Sequence, residues 1–307
     1  MHFESDTPKN QAIHLIHHAA SGNHTEPAGS LAALAHCLAS SAAIIEIDIL
    51  PLADGSFALL HERDLGAETS GMGDAVRATR AEVGELTYKS SGAISTEKIG
   101  FLENAIDLLK AHPQTQRMQL DLKPYLPLTG TVLQNFINLI KPVRERVQVT
   151  TVADWVVRGL SQAIPELSLG FDPLLYLDLV EDDPRPEGVP PFRTGAYDLL
   201  DDHPLAASRW GTLSEYLTAR AEGLWTQAQP AREWFIRAEV LEMAQKAGFD
   251  WIGFLHEHGC TVDAWTIDVT QPTLVKSAQY LVEQGVDDLT TDSPERLAEL
   301  LAVQAVY

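Results

Sequence analysis

The sequence predicts an α/β fold, with a (β/α)8 TIM barrel as the first choice, on three observations. Short runs rich in Ile, Val and Leu alternate with stretches whose apolar residues recur at helical spacing. This alternation is typical of a parallel sheet covered by helices. The length of 307 residues suits one barrel. A doubly wound sheet is the alternative, but no glycine-rich phosphate loop follows the first strand to favour its nucleotide-binding form.

The predicted strands are apolar runs bounded by turn residues. They cover residues 12–18, 42–50, 57–61, 117–123, 146–152, 166–171, 233–241, 261–268 and 285–291. Between them, the segments SLAALAHCLASSA, GFLENAIDLLKAH, VLQNFINLIKPV and LVKSAQYLVEQG have the spacing of amphipathic helices. Acidic residues and prolines crowd residues 181–204, which we expect to form a long surface loop.

The composition limits the classes of partner. A formal charge of −21 disfavours binding to nucleic acid and to anionic membrane surfaces, because both would repel the chain. No apolar run is long enough to span a membrane, and the first residues lack a secretory pattern, so we expect a cytoplasmic protein without a stable membrane anchor. Cys37 and Cys260 lack metal-ligand spacing, and we interpret both as structural thiols. The oligomeric state stays open.

The stretch IIEIDILPLADGSFALLH places two acidic residues in an otherwise apolar strand. Glu46 and Asp48 lie two residues apart, so both side chains face the same side of the sheet. Asp54 and Gly55 predict a two-residue hairpin turn, which returns the chain along this strand. Counting outward from that turn pairs Asp48 with His61. Two carboxylates and an imidazole are therefore expected to converge on one patch.

Two buried carboxylates on one face require a positive partner, because unpaired buried charge is costly. Mg²⁺ or Ca²⁺ is one candidate, since both prefer oxygen ligands. A salt bridge with arginine or lysine is the alternative. Asp121 and Lys123 lie two residues apart in another predicted strand. His17 and His18 end the first strand, where a barrel builds its active site, and each is either a proton-transfer group or a core histidine.

The order of these residues resembles the glycerophosphodiester phosphodiesterases, within the phospholipase-C-like phosphodiesterase barrels. HHAASG stands where the family has HRG, EIDILPLADGSFALLHERDL spans its E-x-D to H segment, and LDLK, AWTI and TTDSP match E-x-K, W-T and T-D-x-P. ETSGMG and IGFLENAIDLL also resemble its T-T-x-G-x-G loop and the start of its I-P-T-L-E-E helix. The resemblance covers residues 13–172 and 248–300. Each motif is weak alone, but their order and spacing are specific.

The resemblance implies a distorted (β/α)8 barrel, a single domain over residues 1–307 with a small inserted subdomain near residues 64–100. It implies metal-dependent hydrolysis of glycerophosphodiesters to sn-glycerol 3-phosphate and an alcohol, with Mg²⁺ or Ca²⁺ as the ion and a small-molecule phosphodiester as the substrate. The implied metal ligands are Glu46, Asp48 and Asp121, the general base and acid are His17 and His61, and the substrate-binding residues are His18, Lys123 and Trp265. A core tryptophan is the alternative interpretation of Trp265.

The sequence departs from the family pattern near the phosphate. His18 and Ala67 stand where the family has arginines, and Asp121 is one methylene shorter than the usual glutamate. Glu26 has no assigned role, and residues 173–247 carry no clear motif. Two other functions therefore stay open: a related phosphodiesterase acting on a lysophospholipid or a sugar phosphodiester, and a ligand-binding barrel without turnover.

Overall fold

A computed structural model describes residues 12–90, 92–123, 126, 128, 130–177, 212–301, 305 and 306. Its centre is a closed barrel of eight parallel strands. These strands are β1 (Ile13–His17), β2 (Ile44–Pro51), β6 (Arg117–Leu122), β7 (Val147–Thr151), β8 (Ser168–Phe171), β9 (Glu233–Arg237), β10 (Thr261–Trp265) and β11 (Asp288–Thr291). The order around the barrel is β1, β11, β10, β9, β8, β7, β6 and β2, and β2 pairs again with β1. The predicted (β/α)8 barrel is confirmed.

Helices cover the outside of the barrel. They are α1 (Leu31–Ala39), α4 (Leu102–Ala111), α5 (Gly130–Ile140), α6 (Asp154–Ala163), α7 (Leu213–Gln227), α8 (Ala238–Lys246), α9 (Trp251–Glu257), α10 (Pro272–Glu283) and α11 (Pro294–Leu301). The isoleucines Ile45, Ile47 and Ile49 of β2 are fully buried in the apolar layer shared by sheet and helices. Burial of each contributes about 1.5–3 kcal/mol, which anchors the strand that carries Glu46 and Asp48. In the described part of the chain, no helix is both long and apolar enough to cross a membrane.

The hairpin after β2 differs from its predicted register by one residue. Leu50 pairs with Ala58, and Pro51 pairs with Phe57. Gly55 adopts a φ of +78°, in the left-handed region that glycine tolerates best. A three-residue loop that ends in such a glycine contains one residue more than the two-residue turn that the sequence predicted.

The predicted strand pairing of Asp48 with His61 is therefore wrong. β3 (Phe57–Ala58) is short, and the chain then leaves β2, because the Leu59 N–H donates to the Gly100 carbonyl at 2.9 Å. His61 consequently lies in the loop beyond the hairpin and is half exposed.

A small layer of secondary structure lies between β3 and α4. It contains α2 (Leu65–Glu68), α3 (Arg80–Val83) and an antiparallel pair, β4 (Thr87–Ser90) and β5 (Ala93–Lys98). Its apolar residues form a cluster with the hairpin, which contains Leu50, Leu52, Ala58, Leu60, Leu65, Ala75, Val83, Tyr88, Ile99 and Phe101. The Tyr88 hydroxyl donates to the Leu59 carbonyl at 2.8 Å and ties this layer to the loop that carries His61.

One predicted strand extends too far along the chain. The run predicted over residues 233–241 is a strand only to Arg237, and α8 begins at Ala238. Val240, Leu241 and Ala244 are buried on one side of α8, so the same apolar residues also satisfy helical spacing. The loop predicted over residues 181–204 lies outside the described residues.

Charged groups fill the lower end of the barrel interior. Arg117 donates to both carboxylate oxygens of Glu233, at 2.6 and 3.1 Å, and lies 3.5 Å from Asp288. Gln148 donates to Glu233 at 2.8 Å, and His14 pairs with Asp288 at 2.8 Å. One guanidinium therefore neutralises two buried carboxylates from different strands.

Replacing Arg117 with alanine is expected to lower the free energy of unfolding by about 3–5 kcal/mol, because it leaves Glu233 and Asp288 buried without their cation. Urea unfolding monitored by circular dichroism measures this loss. Arg144→Ala is the control, since Arg144 is partly exposed and pairs with exposed Glu166 at 3.5 Å, and should cost about 0–1 kcal/mol. Equal losses in the two variants would contradict the assigned role of Arg117.

An apolar layer separates this lower charged layer from the upper end of the barrel. Phe235 packs there with Ile16 and Ile44, and Trp265 packs against the same cluster. Gly170 makes room for the ring, because a Cβ at that position would lie 2.5 Å from Phe235. The two polar ends of the barrel interior are thus distinct sites.

Candidate active site

Three carboxylates meet at the upper, carboxyl-terminal end of the strands. Glu46 and Asp48 project from the same face of β2, and Asp48 is directly paired with Asp121 of β6. One carboxylate oxygen from each residue lies within 4.8 Å of the others. Parallel pairing of two strands therefore brings together acidic groups that are far apart in the sequence.

The electrostatics of this cluster differ among its members. Burial and the neighbouring Asp48 charge raise the pKa of Glu46 to about 8. Burial also raises the pKa of Asp121, against the opposing field of Lys123. For Asp48, burial is outweighed by Lys123, His61 and His18, so its pKa lies below the ordinary range.

Lys123 neutralises part of this charge. Its Nζ lies 2.9 Å from Asp48 Oδ1 and 3.2 Å from Asp121 Oδ2. Burial opposes the charged form, but the two carboxylates raise the pKa of Lys123. The lysine salt bridge considered as an alternative to an ion is therefore present for two of the three carboxylates.

One carboxylate oxygen of Glu46 has no hydrogen-bond partner. Its Oε2 accepts a hydrogen bond from the Ala19 backbone N–H at 2.6 Å, whereas its buried Oε1 has no hydrogen-bond partner. Ala19 and Ala20 have φ values of 47° and 50°, a left-handed conformation that is uncommon for residues other than glycine. The turn after β1 thus holds its backbone against the carboxylate cluster.

His18 is the imidazole on this side of the turn. Its Nδ1 lies 2.7 Å from Asp292 Oδ1, so Nδ1 carries the proton and Nε2 remains for another partner. Burial alone would lower the pKa of His18, but the Asp292 hydrogen bond and the charges of Glu46 and Asp48 raise it to about 9. In the ion-free chain, His18 is therefore a cation at neutral pH.

His17 has different surroundings. Its Nδ1 donates to the Ser21 carbonyl at 2.8 Å and lies 3.6 Å from the Cys37 sulfur of α1. Burial lowers its pKa, and the charged groups that oppose this effect include Glu295 rather than the three carboxylates. These contacts lie on the α1 side of β1, so the structure brings His18, and not His17, to the carboxylate cluster.

His61 faces the cluster from the hairpin loop. Its Nδ1 lies 3.0 Å from Glu62 Oε1, and its charge contributes to the low pKa of Asp48. Glu68 of α2 is a second group at this position, since burial and the Asp48 charge raise its pKa to about 7. Glu68 was not predicted as a site residue, although it lies within the quoted stretch ETSGMG.

Arg237 and Trp265 form the opposite rim. They are paired at the carboxyl ends of β9 and β10. Arg237 shares its strand face with Glu233 and Phe235, which point into the barrel, and pairs with Glu239 at 3.3 Å. The indole Nε1 of Trp265 is buried without a hydrogen-bond partner. Arg237 was not predicted, because it lies in the region without a recognisable motif.

The cluster fits a hard divalent cation. Mg²⁺ and Ca²⁺ take oxygen ligands, and the three carboxylates supply them within one patch. The orphaned Oε1 of Glu46 is the group that most requires such a partner. Lys123 pairs with Asp48 and Asp121 and leaves Glu46 without a cationic partner.

A family model matches this region of the chain. Residues 17–149 match the Glycerophosphoryl diester phosphodiesterase family, and the match contains Glu46, Asp48, His61, Asp121 and the rest of the carboxylate side of the barrel. The chain is similar to this family over these residues. This similarity supports the enzyme class of the phosphoric diester hydrolases. No curated protein matches this sequence closely enough to count as a relative.

Solved structures of phosphodiesterases from several organisms share the fold over the whole barrel. A glycerophosphodiester phosphodiesterase from Parabacteroides distasonis is 16% identical, with a TM-score of 0.66 over 95% of this chain and 98% of that one. A phosphodiesterase from Oleispira antarctica, solved in complex with the product sn-glycerol-3-phosphate, is 19% identical, with a TM-score of 0.65 over 94% and 96%. The enzyme from Thermotoga maritima is 14% identical, with a TM-score of 0.59 over 95% and 99%.

Proposed function

We propose that this protein hydrolyses glycerophosphodiesters to sn-glycerol 3-phosphate and an alcohol, with Mg²⁺ or Ca²⁺ as its cofactor. The observation that carries the proposal is the set of three converging carboxylates with one unpaired oxygen on Glu46, beside the two histidines His18 and His61. The family match and the product named for the Oleispira antarctica structure support the same substrate class.

The carboxylates Glu46, Asp48 and Asp121 would hold the ion. When bound, a divalent cation supplies charge that neutralises the phosphate and lowers the pKa of a bound water. Lys123 keeps its ammonium group beside the same patch, where it would pair with a phosphate oxygen. Arg237 would add a second cation on the opposite rim and compensate for the arginines that His18 and Ala67 replace.

Proton transfer would fall to His18 and His61. Asp292 orients the His18 ring, and Nε2 would accept the proton of the attacking water once the imidazolium has lost its Nε2 proton. His61, across the cluster, would donate a proton to the leaving alcohol. The base predicted at position 17 is thereby reassigned to position 18, because His17 is held against Cys37 and Ser21.

The small layer formed by residues 64–100 would act as a subdomain at the mouth of the barrel. It contributes Glu68, whose carboxylate accepts from the Glu62 N–H at 2.8 Å and so fixes the loop beside His61. Trp265 would wall the glycerol side of the pocket.

The test is an assay of chelator-treated protein with glycerophosphocholine and glycerophosphoethanolamine, in Mg²⁺, in Ca²⁺ and in chelator. Release of glycerol 3-phosphate only with added metal supports the proposal. Turnover of a lysophospholipid or a sugar phosphodiester instead, which the missing arginine at Ala67 favours, would assign a related phosphodiesterase. Metal binding without turnover of any phosphodiester would identify a ligand-binding barrel.

His18→Ala should reduce kcat/KM about a hundredfold or more, because it removes a proton-transfer group and a cation from the carboxylate cluster. His17→Ala is the matched comparison and should reduce it much less, since His17 contacts the α1 side of the strand. The dependence of kcat/KM on pH adds a second measurement. In the wild type, kcat/KM should rise with pH as His18 loses its proton, and this rise should be absent in His18→Ala. A greater loss in His17→Ala than in His18→Ala would restore the base to position 17.

A further inference from the structure

A second group of metal-ligand side chains lies behind the turn that follows β1. His24 Nδ1 and His36 Nδ1 approach the same oxygen, Glu26 Oε2, at 3.3 and 3.1 Å. The three ligand atoms lie within 4.8 Å of one another. Ligand atoms bonded at about 2.0–2.1 Å to a tetrahedral Zn²⁺ lie about 3.3 Å apart, so both short distances match the edges of such a site.

The hydrogen bond of His24 determines which of its ring nitrogens faces Glu26. Its Nε2 lies 2.9 Å from the Ala20 carbonyl, which can only accept, so Nε2 carries the proton of the neutral ring. The opposite nitrogen, Nδ1, then presents a lone pair toward the Glu26 carboxylate. The side chain is only 7% exposed, and its buried Nδ1 has no hydrogen-bond partner. Glu26 Oε2 accepts from the Thr25 N–H at 3.1 Å and its side chain is 27% exposed, so the buried Nδ1 of His24 is the atom that lacks a partner and that a cation would satisfy.

Ordinary histidine–carboxylate pairs in this protein are different. The pairs His18–Asp292, His14–Asp288, His256–Asp287 and His61–Glu62 lie at 2.7, 2.8, 2.8 and 3.0 Å and form hydrogen bonds. Among the described histidines, the two contacts with Glu26 are longer than these four and do not have hydrogen-bond geometry. The lack of hydrogen-bond geometry, more than the small difference in distance, distinguishes these two contacts from a direct pair.

We propose that His24, Glu26 and His36 form a binding site for a divalent transition-metal ion of the zinc type. Two imidazoles and one carboxylate are borderline ligands that suit Zn²⁺, Fe²⁺ or Ni²⁺ better than Mg²⁺. The His24 Nε2–H bond to a backbone carbonyl is the usual outer-shell contact of a metal-bound histidine, which fixes the ring and its tautomer.

The site would stabilise the turn that presents His18. It joins residues 24–26 to His36 in the last turn of α1, and the Ala20 carbonyl accepts from both His24 and the Cys37 thiol. The same turn holds Ala19 and Ala20 in the left-handed conformation. A metal here is structural and separate from the three-carboxylate cluster, so the proposal does not depend on the proposed function.

The experiment measures zinc binding by the full-length, chelator-treated protein in excess Mg²⁺, which occupies oxygen-rich sites. Wild type should bind one equivalent of Zn²⁺, and Co²⁺ should give the visible absorption of a four-coordinate site with nitrogen ligands. His36→Gln is the first variant, because His36 is half exposed and its loss should leave the fold intact. It should weaken zinc binding at least about a hundredfold, the upper end of what loss of an outer-shell partner costs.

Two further variants complete the test. Glu26→Gln should weaken binding in the same way, whereas His256→Gln, which breaks a histidine–carboxylate pair elsewhere on the surface, should not. The proposal is wrong if wild type takes up no zinc in excess Mg²⁺, or if His36→Gln binds as much as wild type. Because the readout is binding, its failure is distinct from a failure to hydrolyse phosphodiesters.

Discussion

His61→Ala is expected to reduce turnover of glycerophosphocholine about a thousandfold while Mg²⁺ affinity stays nearly unchanged. The imidazole would donate a proton to the departing choline oxygen, and without it that oxygen would leave as an alkoxide. His61 is not among the residues whose ligand atoms form the carboxylate cluster, so the ion site should persist. Steady-state kinetics and calorimetric titration with Mg²⁺ measure the two effects separately.

The leaving group gives a sharper test of the same role. A p-nitrophenyl phosphodiester needs little protonation as it departs, so His61→Ala should lose far less activity on it than on glycerophosphocholine. His256→Ala is the control and should keep full activity on both substrates, since His256 pairs with Asp287 away from the carboxylates. An equal loss on the two substrates, or a parallel loss of Mg²⁺ affinity, would exclude His61 as the general acid.

The barrel and its acidic cluster could be predicted because both depend on the alternation of residues along strands. In β2, period 2 separates Ile45 and Ile47, which pack against helices, from Glu46 and Asp48, which face the barrel interior. The register with β6 then places Asp121 beside Asp48. The sequence predicted each of these acidic residues from its own strand, and parallel pairing brought them together.

The same alternation explains what could not be predicted. A motif match aligns HHAASG with HRG by position, but it does not show which of two adjacent histidines faces the barrel interior, because adjacent residues of a strand point to opposite faces. The hairpin register failed for a related reason. Whether Asp54 and Gly55 form a two-residue turn or part of a three-residue loop depends on the left-handed conformation of Gly55, and both loops suit the same sequence.

The cations at the mouth could be predicted only in part. Lys123 directly follows the strand that carries Asp121, so its position beside the acidic patch followed from spacing. Arg237 lies in a region without a motif, and only the barrel shows that its strand ends at the same rim. Arg237 is therefore the cation that we propose in place of the arginines missing at positions 18 and 67, and the linear pattern does not reveal it.

Glu46→Gln is expected to abolish metal-dependent activity and to weaken Mg²⁺ binding beyond detection, because it removes the carboxylate whose Oε1 lacks a protein partner. The substituted amide still has an oxygen to accept from the Ala19 N–H, so the turn that carries His18 should stay in place. Glu222→Gln on the exposed side of α7 is the matched control and should change neither property.

The same variant should be more stable than the wild type when no metal is present. Burial raises the pKa of Glu46 from 4.5 to about 8, so the folded protein retains a proton that the unfolded chain releases between these values. The free energy of unfolding of the wild type therefore falls as pH rises through this window, by about 3 kcal/mol at pH 7. Glu46→Gln should lack most of this decline.

Urea unfolding in chelator, from pH 5 to pH 8, distinguishes this explanation from simple damage to the fold. The stabilities of variant and wild type should converge toward pH 5 and separate as the pH rises, with the variant higher. Adding Mg²⁺ should stabilise only the wild type, because a ligand that binds the folded state alone raises its stability by mass action. A variant that is less stable than the wild type at pH 8 in chelator would contradict this explanation. It would mean that the Glu46 carboxylate stabilises the folded protein even when no ion is bound.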